Sequence, residues 1–380
     1  MTIRFGIIGV GGMGNAHVRN IMNLKGAKLT AVCDVLPDRL NKAVEASGAK
    51  GFSDYRKLID SKLCDAVLIA TPHYDHSPIS VYAMNRGLHV ISEKPLGVSL
   101  TDVDKMIATA KKTRRKFAVM FQWRTMPLWQ TARKFIRSGK LGKLLRVHYV
   151  QPDYRSQAYY DQDAWRGTWA GEGGGVLVNQ APHYTDMMWW LVGSPKTVLA
   201  RTRTKLHNIE GEDEGEAILE FPNGATGYYY TCTAEPGGVR YVRIVGDKGV
   251  LVIEDKLRFG KFKEPLTVFD KTNTGAWGSP ALEWADVPVP EKPSGHVEII
   301  KNFMAAITRG SELLAPGSEG IHQAEITCAM ILSSFTGKPV TLPVNRAAYD
   351  RLLSGLKKKS KSKKVSRKVK RTEVVTHFGK

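Results

Sequence analysis

The chain has 380 residues, 42% of them hydrophobic, and a formal net charge of +20. That length exceeds one ordinary core and suffices for two, so two globular domains are expected. No apolar run is long enough to span a bilayer, and the opening MTIRFGIIGVGG lacks the basic start and small-residue cleavage site of a secretory signal, which points to the cytosol.

The four cysteines, Cys33, Cys64, Cys232 and Cys328, form no C-x-x-C pair and read as reduced, buried thiols rather than a disulfide framework or a zinc site. The charge is unevenly spread. Residues 357–371 contain ten basic and no acidic residues, after a last helix expected over 346–356. Such a block buries too little apolar surface to offset its ordering entropy and is expected to be disordered. It reads either as an arm attracted to a polyanion (nucleic acid, an anionic membrane face or an acidic glycan) or as a solvated tail.

In chain order, apolar runs at 3–9, 28–34, 66–70, 89–92 and 117–121 read as buried strands, with helical segments between them. Two of those helices are expected over 14–24 and 101–113, the second capped by Ser99 or Thr101. This alternation predicts a doubly wound parallel sheet of α/β class. From Gly142 onward the pattern becomes β-rich, with strands expected at 144–150, 198–205, 216–221, 225–231, 239–245 and 249–254. Pro222-Asn223-Gly224 marks a hairpin within a mainly antiparallel sheet. Helices are expected over 175–191, 296–309 and 318–335, and no internal repeat is present. The expected division is a first domain over 1–123, an α/β domain with an open antiparallel sheet over 124–345, and a final helix with the basic tail over 346–380.

Gly9-Val10-Gly11-Gly12-Met13-Gly14 satisfies G-x-G-x-x-G directly after a strand and at a helix start. Gly9 permits the turn, Gly11 lets backbone approach a pyrophosphate, and Gly14 lets helix and strand pack closely, while the helix N-terminus stabilises phosphate charge. Asp34 lies twenty residues after Gly14, where a carboxylate accepts both ribose hydroxyls of an adenosine. The same carboxylate repels a 2′-phosphate, so NAD is expected over NADP, although Arg39 is near enough in sequence to reach such a phosphate.

Three segments, ATPHYDHSPIS (70–80), GLHVISEKPLGVS (87–99) and GGGVLVNQAPHYTDMMWWLVG (173–193), resemble the glucose–fructose oxidoreductase/inositol dehydrogenase/MocA (Gfo/Idh/MocA) family, and the resemblance runs from Ile3 to about Pro343. It implies an N-terminal Rossmann domain and a second α/β domain whose open antiparallel sheet carries the substrate site and joins subunits into homodimers or homotetramers. Glu93-Lys94-Pro95 then corresponds to the family's signature tripeptide at a strand end, with Pro95 a candidate cis proline. Lys94 is the first candidate catalytic residue, since an ammonium there hydrogen-bonds a reacting hydroxyl and stabilises alkoxide character.

Asn179 and His183 stand four apart and would share one face of a continuous helix. His183 is the candidate general base, because imidazole titrates near neutrality. Many sugar and inositol dehydrogenases of the family resemble D-x-x-x-H, whereas this chain has Asn179 at the acidic position, a variant that looks like members acting on glycosides or nucleotide sugars at C3. By the same resemblance Thr71, Pro72, His73 and His76 form a loop over the cofactor, and Gln122, Trp123 and Arg124 lie beside the nicotinamide. Arg166 reaches cofactor or substrate, and Tyr154, Tyr160 and Trp165 offer sugar-stacking faces. His73-x-x-His76 has no third ligand at zinc spacing, so no metal is expected. No G-x-S-x-G elbow, P-loop lysine or DNA-reading motif occurs.

The leading expectation is an NAD-dependent oxidation of a secondary hydroxyl on a sugar, glycoside, nucleotide sugar or cyclitol. One alternative is a redox-neutral glycosidase or lyase working through transient C3 oxidation. Another is a non-catalytic dinucleotide-sensing protein.

Overall fold

The computed structural model describes residues 1–361, so most of the basic tail, from 362 onward, lies outside the described residues. Six strands, β1 (Ile3–Ile8), β2 (Ala27–Cys33), β3 (Lys50–Phe52), β4 (Ala66–Ile69), β5 (His89–Ser92) and β6 (Phe117–Val119), form a sheet ordered β3-β2-β1-β4-β5-β6 with every pairing parallel. This is the doubly wound order in which ligands bind at the carboxyl ends of the central strands, where the winding reverses between β1 and β4. All four residues of β4 are buried, as expected of a strand covered on both faces. The short β3 escaped the sequence reading because Lys50, Gly51 and Phe52 are not an apolar run and lie at a sheet edge.

A second sheet is built from β7 (Leu144–Pro152), β8 (Thr197–Arg203), β9 (Glu214–Glu220), β10 (Thr226–Cys232), β11 (Tyr241–Gly246), β12 (Gly249–Ile253), β13 (Leu257–Phe262), β14 (Leu282–Asp286) and β15 (Val340–Thr341). Its order is β14-β13-β12-β11-β7-β10-β9-β8-β15, antiparallel except between β7 and β10. The helix Gly320–Thr336, buried along most of its length, packs on β8 and on the helix Pro182–Val192. Helices His296–Arg309, Gly320–Thr336 and Arg346–Lys359 also touch Gly12–Met22 or Leu100–Thr113 of the first unit, so the C-terminal helices tie the two sheets together.

Three local expectations are corrected. The helix expected over 175–191 is two helices, Val176–Asn179 and Pro182–Val192. Pro182 has no N–H to continue the ladder, and the Ala181 N–H instead bonds back to the Val176 carbonyl at 2.8 Å. Ser99 begins the helix Leu100–Thr113 without capping it; its hydroxyl and that of Thr101 donate to the two carboxylate oxygens of Asp350 at 2.8 and 2.6 Å. The last helix runs to Lys359 rather than 356, because the Lys357 ammonium sits 4.0 Å from the Tyr74 ring centroid and the Ser360 hydroxyl and Lys361 N–H donate to Glu210.

Arg124 is the fourth correction. Its side chain is fully buried and binds Asp186 through two parallel bonds, Nε at 2.9 Å and Nη2 at 2.6 Å, with Nη1 donating to Glu319 and to the Leu314 carbonyl. The planar guanidinium fork is consumed by this pair, and Arg124 faces the core between the sheets instead of a ligand. Removing one partner leaves an uncompensated buried charge. Arg124→Met should therefore lose about 3–5 kcal/mol of stability in urea denaturation, while Arg124→Met with Asp186→Leu should lose less.

Candidate functional site

A cavity of about 1030 Å³ opens at the carboxyl ends of β1, β4 and β5 and extends toward the second sheet. At one end lies the glycine turn. Gly9 adopts φ +86, and a Cβ there would sit 2.7 Å from the Ala70 carbonyl oxygen; a Cβ on Gly14 would overlap the Gly9 carbonyl oxygen at 1.9 Å. Gly9 and Gly14 are therefore fixed by turn geometry and close packing. A Cβ on Gly11 would meet only the Arg39 guanidinium, at 3.4 Å and beyond, so that backbone faces open cavity. No side chain caps the helix Gly12–Met22, which leaves its first N–H groups directed at the same space.

Asp34 lines this end, with Oδ2 accepting from the Val10 N–H and Oδ1 from the Leu36 N–H, both at 2.9 Å. Each carboxylate oxygen keeps a further lone pair for a ribose hydroxyl. Open backbone at Gly11, free helix N–H groups and this oriented acid fit a dinucleotide: Gly11, Gly12 and Met13 would hold the pyrophosphate and Asp34 the ribose. Arg39 turns from Asp34 to Asp163, at 2.9 Å, and both line the cavity.

At the β5 end, Glu93 and Lys94 both line the cavity, and the Lys94–Pro95 peptide is cis. Burial pushes the Glu93 carboxyl up, but His17, bonded to Oε1 at 2.7 Å, outweighs it together with His296 and Lys94 and holds it down at about 2. The Lys94 ammonium donates to the Asn179 main-chain oxygen at 2.5 Å and approaches Oδ1 of the same residue at 3.4 Å. Burial pushes it down to about 8, with Arg166 and Arg155 adding to that and Glu93 and Glu172 opposing it.

His183 lies on the same wall, in the first turn of Pro182–Val192, stacked on Trp123 at 5.5 Å, with Nε2 3.2 Å from Gln122 Nε2. Burial pushes it well below the usual imidazole range, and the Lys94 charge adds to this. The helix break means that Asn179 and His183 do not share a continuous helical face. They still converge on one cavity, because Asn179 ends one helix and His183 begins the next.

The remaining expected residues divide. Thr71, Pro72, His73, Gln122, Trp165 and Arg166 line the cavity. His76, Gly14, Tyr154, Tyr160 and Arg124 do not. His76 is a clamp behind the wall, its ring nitrogens 2.8 and 3.0 Å from the Pro95 and Thr71 carbonyl oxygens. Tyr154 is exposed and Tyr160 is buried against Thr233 and His207. Among the described residues, no three His, Cys, Asp or Glu side chains gather as a metal-binding group.

The sequence reading missed Tyr159, Glu172 and Gln180. The Tyr159 hydroxyl oxygen receives donors from Arg166 Nη1 at 2.6 Å, Gln180 Nε2 at 2.9 Å and Asn179 Nδ2 at 3.1 Å. Glu172 is buried, accepts from Asn179 Nδ2 and the Gly167 N–H, and offers its main-chain oxygen to His73 Nδ1 at 2.8 Å. Its place just before Gly173-Gly174-Gly175 was the available signal. Beyond this cluster, Arg155, Arg240 and the Tyr184 hydroxyl all bond Asp153, and all four residues line the cavity.

Residues 3–121 match the oxidoreductase family, NAD-binding Rossmann fold, and residues 129–252 match the GFO/IDH/MocA C-terminal domain. Inositol 2-dehydrogenase of Salmonella paratyphi B is 33% identical over 210 residues, 52% of this chain and 57% of that relative, so the match spans little more than half of the relative's length. Myo-inositol 2-dehydrogenase of Thermotoga maritima is 26% identical over 325 residues, covering 84% of this chain and 92% of its own. Among solved structures, the WlbA dehydrogenase of Chromobacterium violaceum, in complex with NADH and UDP-GlcNAcA, matches with a TM-score of 0.79 at 29% identity, over 90% of this chain and 97% of that one. Because the two family models match in order and together span more than half of the sequence, the chain belongs to the Gfo/Idh/MocA family of NAD-binding oxidoreductases.

Proposed function

We propose that the protein is an NAD-dependent dehydrogenase that oxidises a secondary hydroxyl of a sugar, glycoside, nucleotide sugar or cyclitol, at C3 where the substrate is a sugar. The observation that carries this reading is a group of buried polar atoms around Lys94 with no protein partner: His183 Nδ1, Gln122 Oε1 and Gln180 Oε1. Buried donors and acceptors are ordinarily paired, and a ligand with adjacent hydroxyls supplies both kinds of partner. The dehydrogenase relatives and the nucleotide sugar bound by the WlbA structure support the same class.

NAD, held as described, supplies the acceptor for the hydrogen that leaves carbon with its electron pair. Lys94 donates a hydrogen bond to the reacting oxygen and stabilises its developing negative charge. His183, kept neutral by burial, takes the hydroxyl proton. Asp153, Arg155 and Arg240 bind the far end of the substrate, where one carboxylate facing two guanidiniums suits a phosphate or carboxylate group.

For assembly, the open face of the second sheet is the proposed contact of a homodimer or homotetramer. Exposed Leu199 and Ile218 pair directly across β8 and β9, beside Tyr228 on β10. The ten basic residues of 357–371 are proposed as an auxiliary contact for a polyanion.

Lys94→Ala and His183→Ala should each lower turnover on a carbohydrate or cyclitol panel by about 10²–10⁴-fold while NAD binding persists, as read by NADH formation and by cofactor titration. Full activity in Lys94→Ala, or substrate cleavage without net NADH, would refute the assignment. The pH profile of kcat/KM for oxidation should have its acid limb well below 6.5, from His183, and fall through about 8 as Lys94 loses its proton. A rate that keeps climbing past that midpoint would contradict a donor role for Lys94. In a cofactor titration, NAD should bind more tightly than NADP and Asp34→Ser should narrow the difference; equal wild-type affinities would remove the role given to Asp34.

A further inference from the structure

Asn179 occupies the position at which a D-x-x-x-H pattern has a carboxylate, and a carboxylate stands one hydrogen bond behind it. Asn179 Nδ2 donates to Glu172 Oε1, and the same nitrogen donates to Tyr159 Oη at 3.1 Å. Glu172 is held at both ends: Oε2 accepts from the Gly167 N–H, and its main-chain oxygen accepts from His73 Nδ1 at 2.8 Å. A side-chain amide has one donating and one accepting end, whereas an ionised carboxylate only accepts. With Nδ2 committed to Glu172, Oδ1 turns toward the Lys94 ammonium, which already donates to the main-chain oxygen of the same asparagine.

We propose that Glu172 is a positioning residue: by accepting from the Asn179 amide it fixes the polarity of that amide, so that Oδ1 joins the main-chain oxygen in facing Lys94 and the two hold it as a proton donor. The carboxylate of a D-x-x-x-H pattern is thus displaced by one hydrogen bond, with Asn179 relaying its orientation. A neutral side chain at 172 would lose this control, since a glutamine offers both a donor and an acceptor and tolerates either amide orientation. With Nδ2 toward Lys94, the ammonium would face a donor instead of an acceptor.

The groups that bear on this pair come from several elements. Lys94 is faced by Glu93 on its own strand end, by Glu172, Arg166 and Arg155 from the 153–172 segment, and by His183. Glu172 is faced by Arg166, Lys94, Asn179 and the Gly167 N–H; burial raises its carboxyl and these partners oppose the rise. Glu212 lies close enough for the two carboxylates to interact. Both members of the Lys94–Glu172 pair are thus disfavoured as ions by burial and favoured by each other.

The inference rests on the reading of Lys94 as the donor to the reacting hydroxyl, but its test does not depend on turnover. In the full-length, NAD-loaded protein, the protonation midpoint of Lys94 is read from the pH dependence of its acetylation by trace acetic anhydride, quantified by mass spectrometry. The wild-type midpoint is expected at about 8. In Glu172→Gln it should fall by about one unit. In Glu172→Gln combined with Asn179→Asp, where the carboxylate is restored at the position beside Lys94, it should return toward the wild-type value. Asn179→Leu, which keeps Glu172 and removes the relay, should lower the midpoint as well, and it serves if Glu172→Gln does not fold.

An unchanged midpoint in folded Glu172→Gln or in Asn179→Leu overturns the proposal, as does a double variant that stays as low as Glu172→Gln. A midpoint that moves as expected in a protein that oxidises no carbohydrate would leave this inference standing and refute the proposed function instead.

Discussion

Burial works against the Lys94 ammonium, and the surroundings of β5 are arranged to keep the charge there despite it. Water is replaced by two oxygens of Asn179 and by the nearby carboxylates of Glu93 and Glu172. Glu93 is in turn anchored by His17, which belongs to the helix that follows the glycine turn. The turn that receives a dinucleotide and the residue assigned to the reacting oxygen are therefore joined through two side chains, and neither is positioned by β5 alone. Loss of His17 or Glu93 would disturb both parts of this unit, the helix that follows the glycine turn and the strand end that carries Lys94.

The loops extend that unit across the second sheet. Residues 71–76 are tied to 165–175 by His73 on the Glu172 carbonyl and by the Tyr74 hydroxyl on the Trp169 carbonyl at 2.7 Å. His76 fastens the same loop to Pro95, immediately after Lys94. Arg39 bridges to Asp163 from the opposite side. The His73, Tyr74 and His76 contacts are made on main-chain carbonyls, so the backbone's requirement for partners also shapes the wall. The 71–76 and 165–175 segments are consequently held by one set of bonds.

This network explains what was legible in the sequence. The parallel strands were readable because both faces are covered, which forces continuous apolar runs such as Ala66–Ile69. The glycine turn and Asp34 were readable because their spacing is set by backbone geometry within one βα unit. Lys94 and His183 were singled out through longer motifs. Arg124 was misplaced because its partners, Asp186 and Glu319, lie 62 and 195 positions away, and nothing local distinguishes a core guanidinium from a ligand-binding one. Glu172 and Tyr159 were missed for the same physical reason: each matters through side chains that folding alone brings near. The i, i+4 relation of Asn179 and His183 gave the right neighbours from a helix that Pro182 interrupts.

Two groups of polar side chains that line the cavity differ in how firmly their partners are fixed. Asn179 and Glu172 are buried and bonded to each other beside Lys94, so a substitution at either leaves a buried group unpaired at high cost. Arg240, by contrast, is exposed, and Asp153 divides its oxygens among Arg155, Arg240 and Tyr184. Shared, partly solvated charges rearrange at low energetic cost. Arg240 can therefore be replaced without unpairing a buried group, whereas Arg155 and Tyr159 bear on Lys94 and Asn179 and cannot change independently of the ammonium at β5.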